Sequence, residues 1–295
     1  MSLYFVGGKI MLKKFSNNIY YMPPVEETDR PILAAIVGDD KVLIVDGGNS
    51  TDHAKTFLCQ LDNLGIYKKR LLAITHWHWD HVFGIKEMDA LTFCHKYTAN
   101  KIKDMMGLDW SDEALDERVA MGEEIEFCSE KIKAEFKEDR NIELKVPEVI
   151  FEKSISIDIG NHICILEHVG GNHSPDSTFI YSTKEKTLFI GDSLFVDIYN
   201  GEWSWTVDGV RRLGEKILSY DAEYFVEAHV DEKIPREKME ETIDRYIKIG
   251  EIVEELGYNR NAILEKLERR LRHITEDDLL SVDWYIAGHF KKRVK

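Results

Sequence analysis

Four apolar runs in this 295-residue chain each end on a side chain suited to holding a metal. "LLAIT" ends at His76, "ICILEHVGGN" at His173, "TLFIG" at Asp192 and "YFVEA" at His229. Runs of this length and composition read as buried strands bounded by turns. Strand ends collect at one rim of a sheet, so residues far apart in the chain can meet there. One strand ending in this way is weak evidence. Four in succession restrict the chain to folds that bring those ends together.

The first of the four is the richest. "THWHWDH", Thr75 to His81, crowds His76, His78, Asp80 and His81 together in a chain with 11 histidines in all. Packing has no use for such crowding, because close imidazoles repel once any of them is protonated. A cation bound through the ring nitrogens holds each imidazole neutral and removes the repulsion. In an extended loop His76 and His78 point the same way, so both rings can reach one ion. Asp80 and His81 follow where "HVFGIKEM" is expected to turn into a helix, which aims them at a second ion. His173 would complete the first set and His229 the second, with the two oxygens of Asp192 bridging. Each ion then keeps an open position, the arrangement of a catalytic site. Two divalent ions roughly 3.5–4 Å apart lower the pKa of a shared water from about 15.7 toward neutrality. Mixed imidazole and carboxylate ligands accept zinc, iron or manganese, with zinc the default expectation.

Around these ligands the pattern is strand-rich. "PILAAIVG" and "VLIVDGG" flank "DDK" as a hairpin. "STDHAKTFLCQLDNLG" is a helix capped by Ser50 or Thr51, with Ala54, Phe57, Leu58 and Leu61 on one face and Gly65 as its stop. From about 97 to 144 the chain is charge-rich and helical in period, which predicts an inserted helical segment packing an apolar stripe on the body. Strand patterns then resume, and from Pro235 onward the period is wholly helical. The expected organisation is a catalytic domain over 1–234 and a helical extension over 235–295. The expected class is α/β, with two sheets packed face to face and helices outside.

Composition narrows the function. Hydrophobic content of 43% and charged content of 32% describe a globular chain, and the net charge of -15 argues against a nucleic-acid partner. No apolar run approaches membrane-spanning length, and the N-terminal "MSLYFVGGKIMLKKF" lacks the order of a signal peptide. Cys59, Cys94, Cys128 and Cys164 form no C-x-x-C pair and read as isolated thiols. These features point to a cytoplasmic protein with a small-molecule substrate. The amphipathic C-terminal helices could pair across a two-fold axis in a homodimer.

His76-Trp77-His78-Trp79-Asp80-His81 resembles the H-x-H-x-D-H signature of the metallo-β-lactamase superfamily. His173, Asp192 and His229 follow in that family's order. Asp46 in "LIVDGG" matches its early aspartate, which supports the metal loop from behind. The resemblance runs from about Asn18 to His229. It implies a four-layer αββα sandwich and a metal-dependent hydrolase, in which a hydroxide bridging two metal ions attacks the substrate and Asp80 orients it or shuttles its proton. The lactam-cleaving members that share H-x-H-x-D-H lack an aspartate where Asp192 stands. The chain is therefore more similar to lactonases, thioesterases of the glyoxalase II kind and related esterases, which implies an ester-, thioester- or lactone-like substrate. One departure is "HSPDS" after His173, where many relatives have a glycine-containing turn. The alternative is a diiron oxidoreductase or oxygen sensor of the same fold, and His78 argues against it.

No separate nucleophile is needed, and no G-x-S-x-G motif is present. Trp77 and Trp79 lie between ligands, and Tyr199, Trp203 and Trp205 sit in the aromatic "VDIYNGEWSW" after Asp192. These five are candidates for a pocket wall, with core packing as the alternative. The insertion and the terminal helices are expected to form a lid or far wall. His168 is a rival to His173, but strand alternation groups it with Cys164 and Leu166. His53, His95, His162, His273 and His289 lack metal spacing.

Overall fold

The computed structural model describes residues 12–137, 140–271 and 273–294. Its strands form two mixed sheets. In the first, β1 (Lys13–Lys14), β2 (Ile19–Met22), β3 (Leu33–Val37), β4 (Lys41–Val45), β5 (Lys69–Ala73), β6 (Leu91–His95) and β7 (Val149–Phe151) lie side by side in chain order. The first four meander antiparallel, and β4 to β7 run parallel. The second sheet holds β8 (Ser154–Asp158), β9 (Ile163–His168), β10 (Thr178–Ser182), β11 (Thr187–Gly191), β12 (Tyr224–Glu227) and β13 (Ile234–Pro235). Only β11 and β12 pair parallel there. The helices are α1 (Thr51–Asn63), α2 (Trp79–Val82), α3 (Lys96–Met105), α4 (Asp112–Met121), α5 (Glu126–Phe136), α6 (Val207–Leu218), α7 (Arg236–Leu256), α8 (Arg260–Arg270) and α9 (Glu276–Val294). None of the described helices is long and apolar enough to cross a membrane.

Alternation along each strand decides the layering. Ala34, Ile36, Leu43 and Val45 face the second sheet and pack with its Leu166, Ile180, Phe189 and Val226. Their neighbours Leu33, Ala35, Val42 and Ile44 face outward onto Ala54, Phe57 and Leu61 of α1. In the second sheet Phe179, Leu188, Ile190 and Phe225 face outward onto Leu213 and Ile217 of α6 and Met239 and Ile243 of α7. The result is the expected helix–sheet–sheet–helix sandwich. The Ser50 hydroxyl caps α1 by accepting from the His53 amide at 3.0 Å.

The chain after His81 differs from expectation. Only the four residues of α2 are helical, and turns continue to Met88. The backbone there is used by the loop after β4: the Gly47 amide donates to the His81 carbonyl (2.8 Å) and the Gly84 amide to that of Gly48 (3.0 Å). A Cβ on Gly84 would fall 2.2 Å from the Gly47 oxygen, so only glycine permits this approach.

The inserted helices α3 to α5 bury Ile102, Leu115, Cys128 and Ile132 in the same outer cluster as α1. Arg30 secures α5 by donating to Glu135 at 2.7 Å. The C-terminal helices pack Ile249, Val253, Ile263 and Tyr285 onto Val207 and Val210 of α6. A Cβ on Gly288 would fall 1.8 Å from the Trp205 carbonyl oxygen, so α9 lies directly against the loop that follows β11. That contact brings the C-terminal helices to the rim where the strand ends collect.

Candidate metal centre

β4 delivers Asp46 at a left-handed backbone position, φ +63°, uncommon for a residue with a Cβ though less so for aspartate. The turn swings its carboxylate across to the end of β5. There Oδ1 accepts from the Thr75 amide and Oδ2 from His81 Nδ1, each at 2.8 Å. Asp46 thus sets the entry of the histidine loop and orients one of its rings.

The ligand candidates gather in two groups. His76, His78 and His173 form one; Asp80, His81, Asp192 and His229 form the other, each with its ligand atoms within 4.8 Å of one another. Asp192 belongs to both neighbourhoods. Its Oδ2 lies 3.1 Å from His81 Nε2, 3.4 Å from His229 Nε2, 3.6 Å from His76 Nε2 and 3.8 Å from His173 Nε2. The opposite ring nitrogens are held from outside. His173 Nδ1 donates to the Val196 carbonyl at 2.9 Å, and His229 Nδ1 lies 3.5 Å from Asp29 Oδ1. Such outer partners fix ring orientation and leave Nε2 facing inward.

Electrostatics differ between the groups. Burial, reinforced by neighbouring rings, pushes the pKa values of His76 and His78 well below the ordinary histidine value; burial also lowers His173. These three are neutral, and the inward Nε2 of His173 is a bare lone pair. It faces His76 Nε2 at 3.2 Å, so both nitrogens could turn their lone pairs to one cation. In the other group burial pushes His81 and His229 down, but Asp80 and Asp192 (with Asp46 for His81) override it and hold both well above the usual range. Burial likewise opposes ionisation of Asp80 and Asp192, and His81 and His229 overcome it. The first group offers neutral imidazole lone pairs and the second adds the charge of Asp80 and Asp192, so the donor set fits a pair of cations.

Three acidic residues near the centre carried no sequence signal. Asp29, at a left-handed position after a single 3-10 turn (Glu26–Thr28), is pushed up to about 7 by burial and by Asp80. Glu227, two residues before His229, is also pushed up to about 7, by burial and by Asp192. Asp176, fully buried, accepts from the Thr98 hydroxyl at 2.6 Å and from that of Ser174, and bonds the Trp77 backbone. It joins the "HSPDS" turn to α3 and to the histidine loop.

A cavity of about 700 Å³ opens over both groups. Its walls come from Phe127, Cys128 and Lys131 of α5, from Leu194, Phe195, Ile198 and Trp203 after β11, and from Tyr246, Asp277, Ser281 and Trp284 of the C-terminal helices. Trp79 and Trp205 border it while almost wholly buried. Trp77 and Tyr199 do not line it. Their rings pack 5.3 Å apart behind the histidine loop, with Tyr199 5.1 Å from His78; Trp77 is turned toward Lys101 of α3 and Tyr199 toward Cys128 of α5. His168 stands apart from the ligands, stacked on His95 at 3.8 Å. Phe127, Phe195 and Trp284 were missed because each comes from a separate segment with no shared spacing.

A family model described as the metallo-beta-lactamase superfamily matches residues 28–249. No curated protein matches the sequence. Among solved structures, a metallo-beta-lactamase from Pontibacter korlensis is similar with a TM-score of 0.53 and 15% identity, over 80% of this chain and 98% of that one. The DIM-1 metallo-beta-lactamase is similar at 0.54 and 14%, over 80% and 96%. The stereoselective inverting sec-alkylsulfatase Pisa1 from Pseudomonas sp. is similar at 0.62 and 13%, over 94% of this chain but 47% of its own length. At these identities the likeness is one of fold.

Proposed function

Because the chain belongs to the metallo-beta-lactamase superfamily, we propose that it is a metal-dependent hydrolase with a dinuclear centre, acting on an ester-, thioester- or lactone-like small molecule. The observation that carries this reading is the placement of Asp192 Oδ2 within 3.8 Å of four inward-facing imidazole nitrogens. His76, His78 and His173 would hold one ion and Asp80, His81 and His229 the other, with Asp192 between them. Two divalent cations, zinc by default, would supply an acidified water and Lewis-acid polarisation of the scissile carbonyl.

The chain's own groups do the rest. Asp80 borders the cavity, and its Oδ2 lies 3.2 Å from His229 Nε2 and 3.0 Å from His81 Nε2. Held ionised, it can orient the attacking water and accept its proton. Asp29 steadies the outer edge of His229. Cys128, the thiol on the cavity wall, is pushed well above its ordinary pKa by burial and by Glu124, so it stays protonated and is no nucleophile.

Elemental analysis of the purified protein, followed by a panel of lactones, thioesters, carboxylic esters, phosphodiesters and sulfate esters, tests the reading. Two divalent ions per chain are expected, with carbonyl-ester turnover that disappears in Asp192→Ala. Unchanged turnover in His76→Ala, or oxygen consumption by a visibly absorbing iron form without hydrolysis, would overturn it.

A further inference from the structure

We propose that the cavity selects a substrate bearing an uncharged, apolar acyl or alkyl group, seated against Phe127, Phe195, Trp203 and Trp284. The proposal rests on the hydrolase reading and deepens it. Phe195 is fixed relative to Asp192, since its amide donates to the Asp192 carbonyl at 2.7 Å. Its ring stands 5.9 Å from that of His173. Trp203 meets Phe195 edge to face at 5.7 Å and Phe127 at 6.0 Å, and Trp284 meets Phe195 at 5.8 Å. α5, the loop after β11 and α9 thereby build one aromatic wall. Phe127 and Phe195 remain 37% and 39% exposed within it. Covering such rings with apolar surface is favourable.

The charges on the wall point the same way. Glu26, Asp231 and Asp277 border the cavity. Lys131 is its one lysine or arginine among the described residues, and it donates to the Glu26 carbonyl at 2.7 Å while lying 5.4 Å over the Phe127 ring. Among the described residues no other lysine or arginine borders the cavity, and Glu26 and Asp277 add negative charge to its wall, so the wall favours an apolar group over a carboxylate or sulfate.

Calorimetric titration of the metal-loaded protein with 1-octanol and 1-butanol reads the wall without hydrolysis. Each added methylene is expected to tighten binding about three- to fourfold, so octanol, four methylenes longer, binds on the order of a hundredfold tighter than butanol. Phe195→Ala is expected to weaken octanol about tenfold. If Phe195→Ala loses its native circular dichroism, Phe127→Ala carries the same readout. Equal binding of octanol and butanol overturns the proposal. In parallel, kcat/KM for p-nitrophenyl octanoate over p-nitrophenyl acetate is expected to exceed about ten and to fall severalfold in Phe195→Ala. Turnover without that preference overturns the inference and spares the hydrolase reading. Octanol selectivity with no ester turnover overturns the hydrolase reading and spares the wall.

Discussion

Nε2 of His76 lies 3.2 Å from Nε2 of His173, although His173 already donates its Nδ1 hydrogen to the Val196 carbonyl. Without metal, two buried neutral rings so arranged share one hydrogen bond at best, where a cation could take both lone pairs. Removing bound metal should therefore destabilise the fold as well as stop any reaction. At free metal about a hundredfold above Kd, one site stabilises by roughly 2.7 kcal/mol, and about 2–4 °C per kcal/mol is expected for a chain of this size. Excess chelator is expected to lower Tm by about 5–10 °C in differential scanning fluorimetry. A Tm that does not move would show that the histidines are satisfied without metal.

The carboxylate of Asp46 receives the outer nitrogen of His81 at 2.8 Å. Asp46→Asn keeps a side chain that tolerates the left-handed backbone but removes the charge behind the ring. Losses of this kind weaken metal binding about 10–100-fold. Competition against a chromophoric chelator measures this directly. Affinity equal to wild type would leave Asp46 with a purely architectural role at Thr75.

Asp176 sits fully buried with two hydroxyl donors. Burial raises its pKa above the usual carboxylate value, so a neutral amide should be tolerated where a methyl is not. Asp176→Ala leaves the Thr98 hydroxyl unpaired, a cost of about 1–3 kcal/mol; Asp176→Asn is expected to cost clearly less. Melts of both variants without metal separate this packing effect from ligand loss. Equal Tm values for the two would contradict the tie between α3 and the "HSPDS" turn.

How much of this was legible in sequence follows from where each signal resides. His76 to His81 are neighbours in the chain, and Asp192 and His229 end apolar runs, so spacing and alternation expose them. The two sheets were equally readable, since alternate residues of β3 and β4 face different cores. Asp29 had no such signature: it reaches His229 from a turn that only tertiary packing positions. The aromatic wall was hidden for the same reason, because Phe127, Phe195 and Trp284 become neighbours only when α5 and α9 close over the strand ends. Trp77 illustrates the converse. Its place between two ligands suggested the cavity, yet the alternation that turns His76 and His78 inward sends Trp77 outward.

His53 offers a test of burial at a histidine outside the ligand set. Its ring is wholly buried, its Nδ1 accepts from the Asn49 amide at 3.5 Å, and burial followed by Arg30 lowers its pKa to about 3. Protonating Nδ1 would set donor against donor, so the folded state holds this ring neutral. In the unfolded chain it protonates below about 6.5. Between those values the unfolded state binds the extra proton, and stability falls as pH falls from about 6.5 toward 3. From pH 7 to pH 5 the expected loss from this residue is about 2 kcal/mol. Urea unfolding of the wild type and of His53→Gln at both pH values isolates it, because other titrating groups contribute equally to each. The variant should lose about 2 kcal/mol less over that interval, and equal losses would mean that His53 takes up its proton in the folded protein.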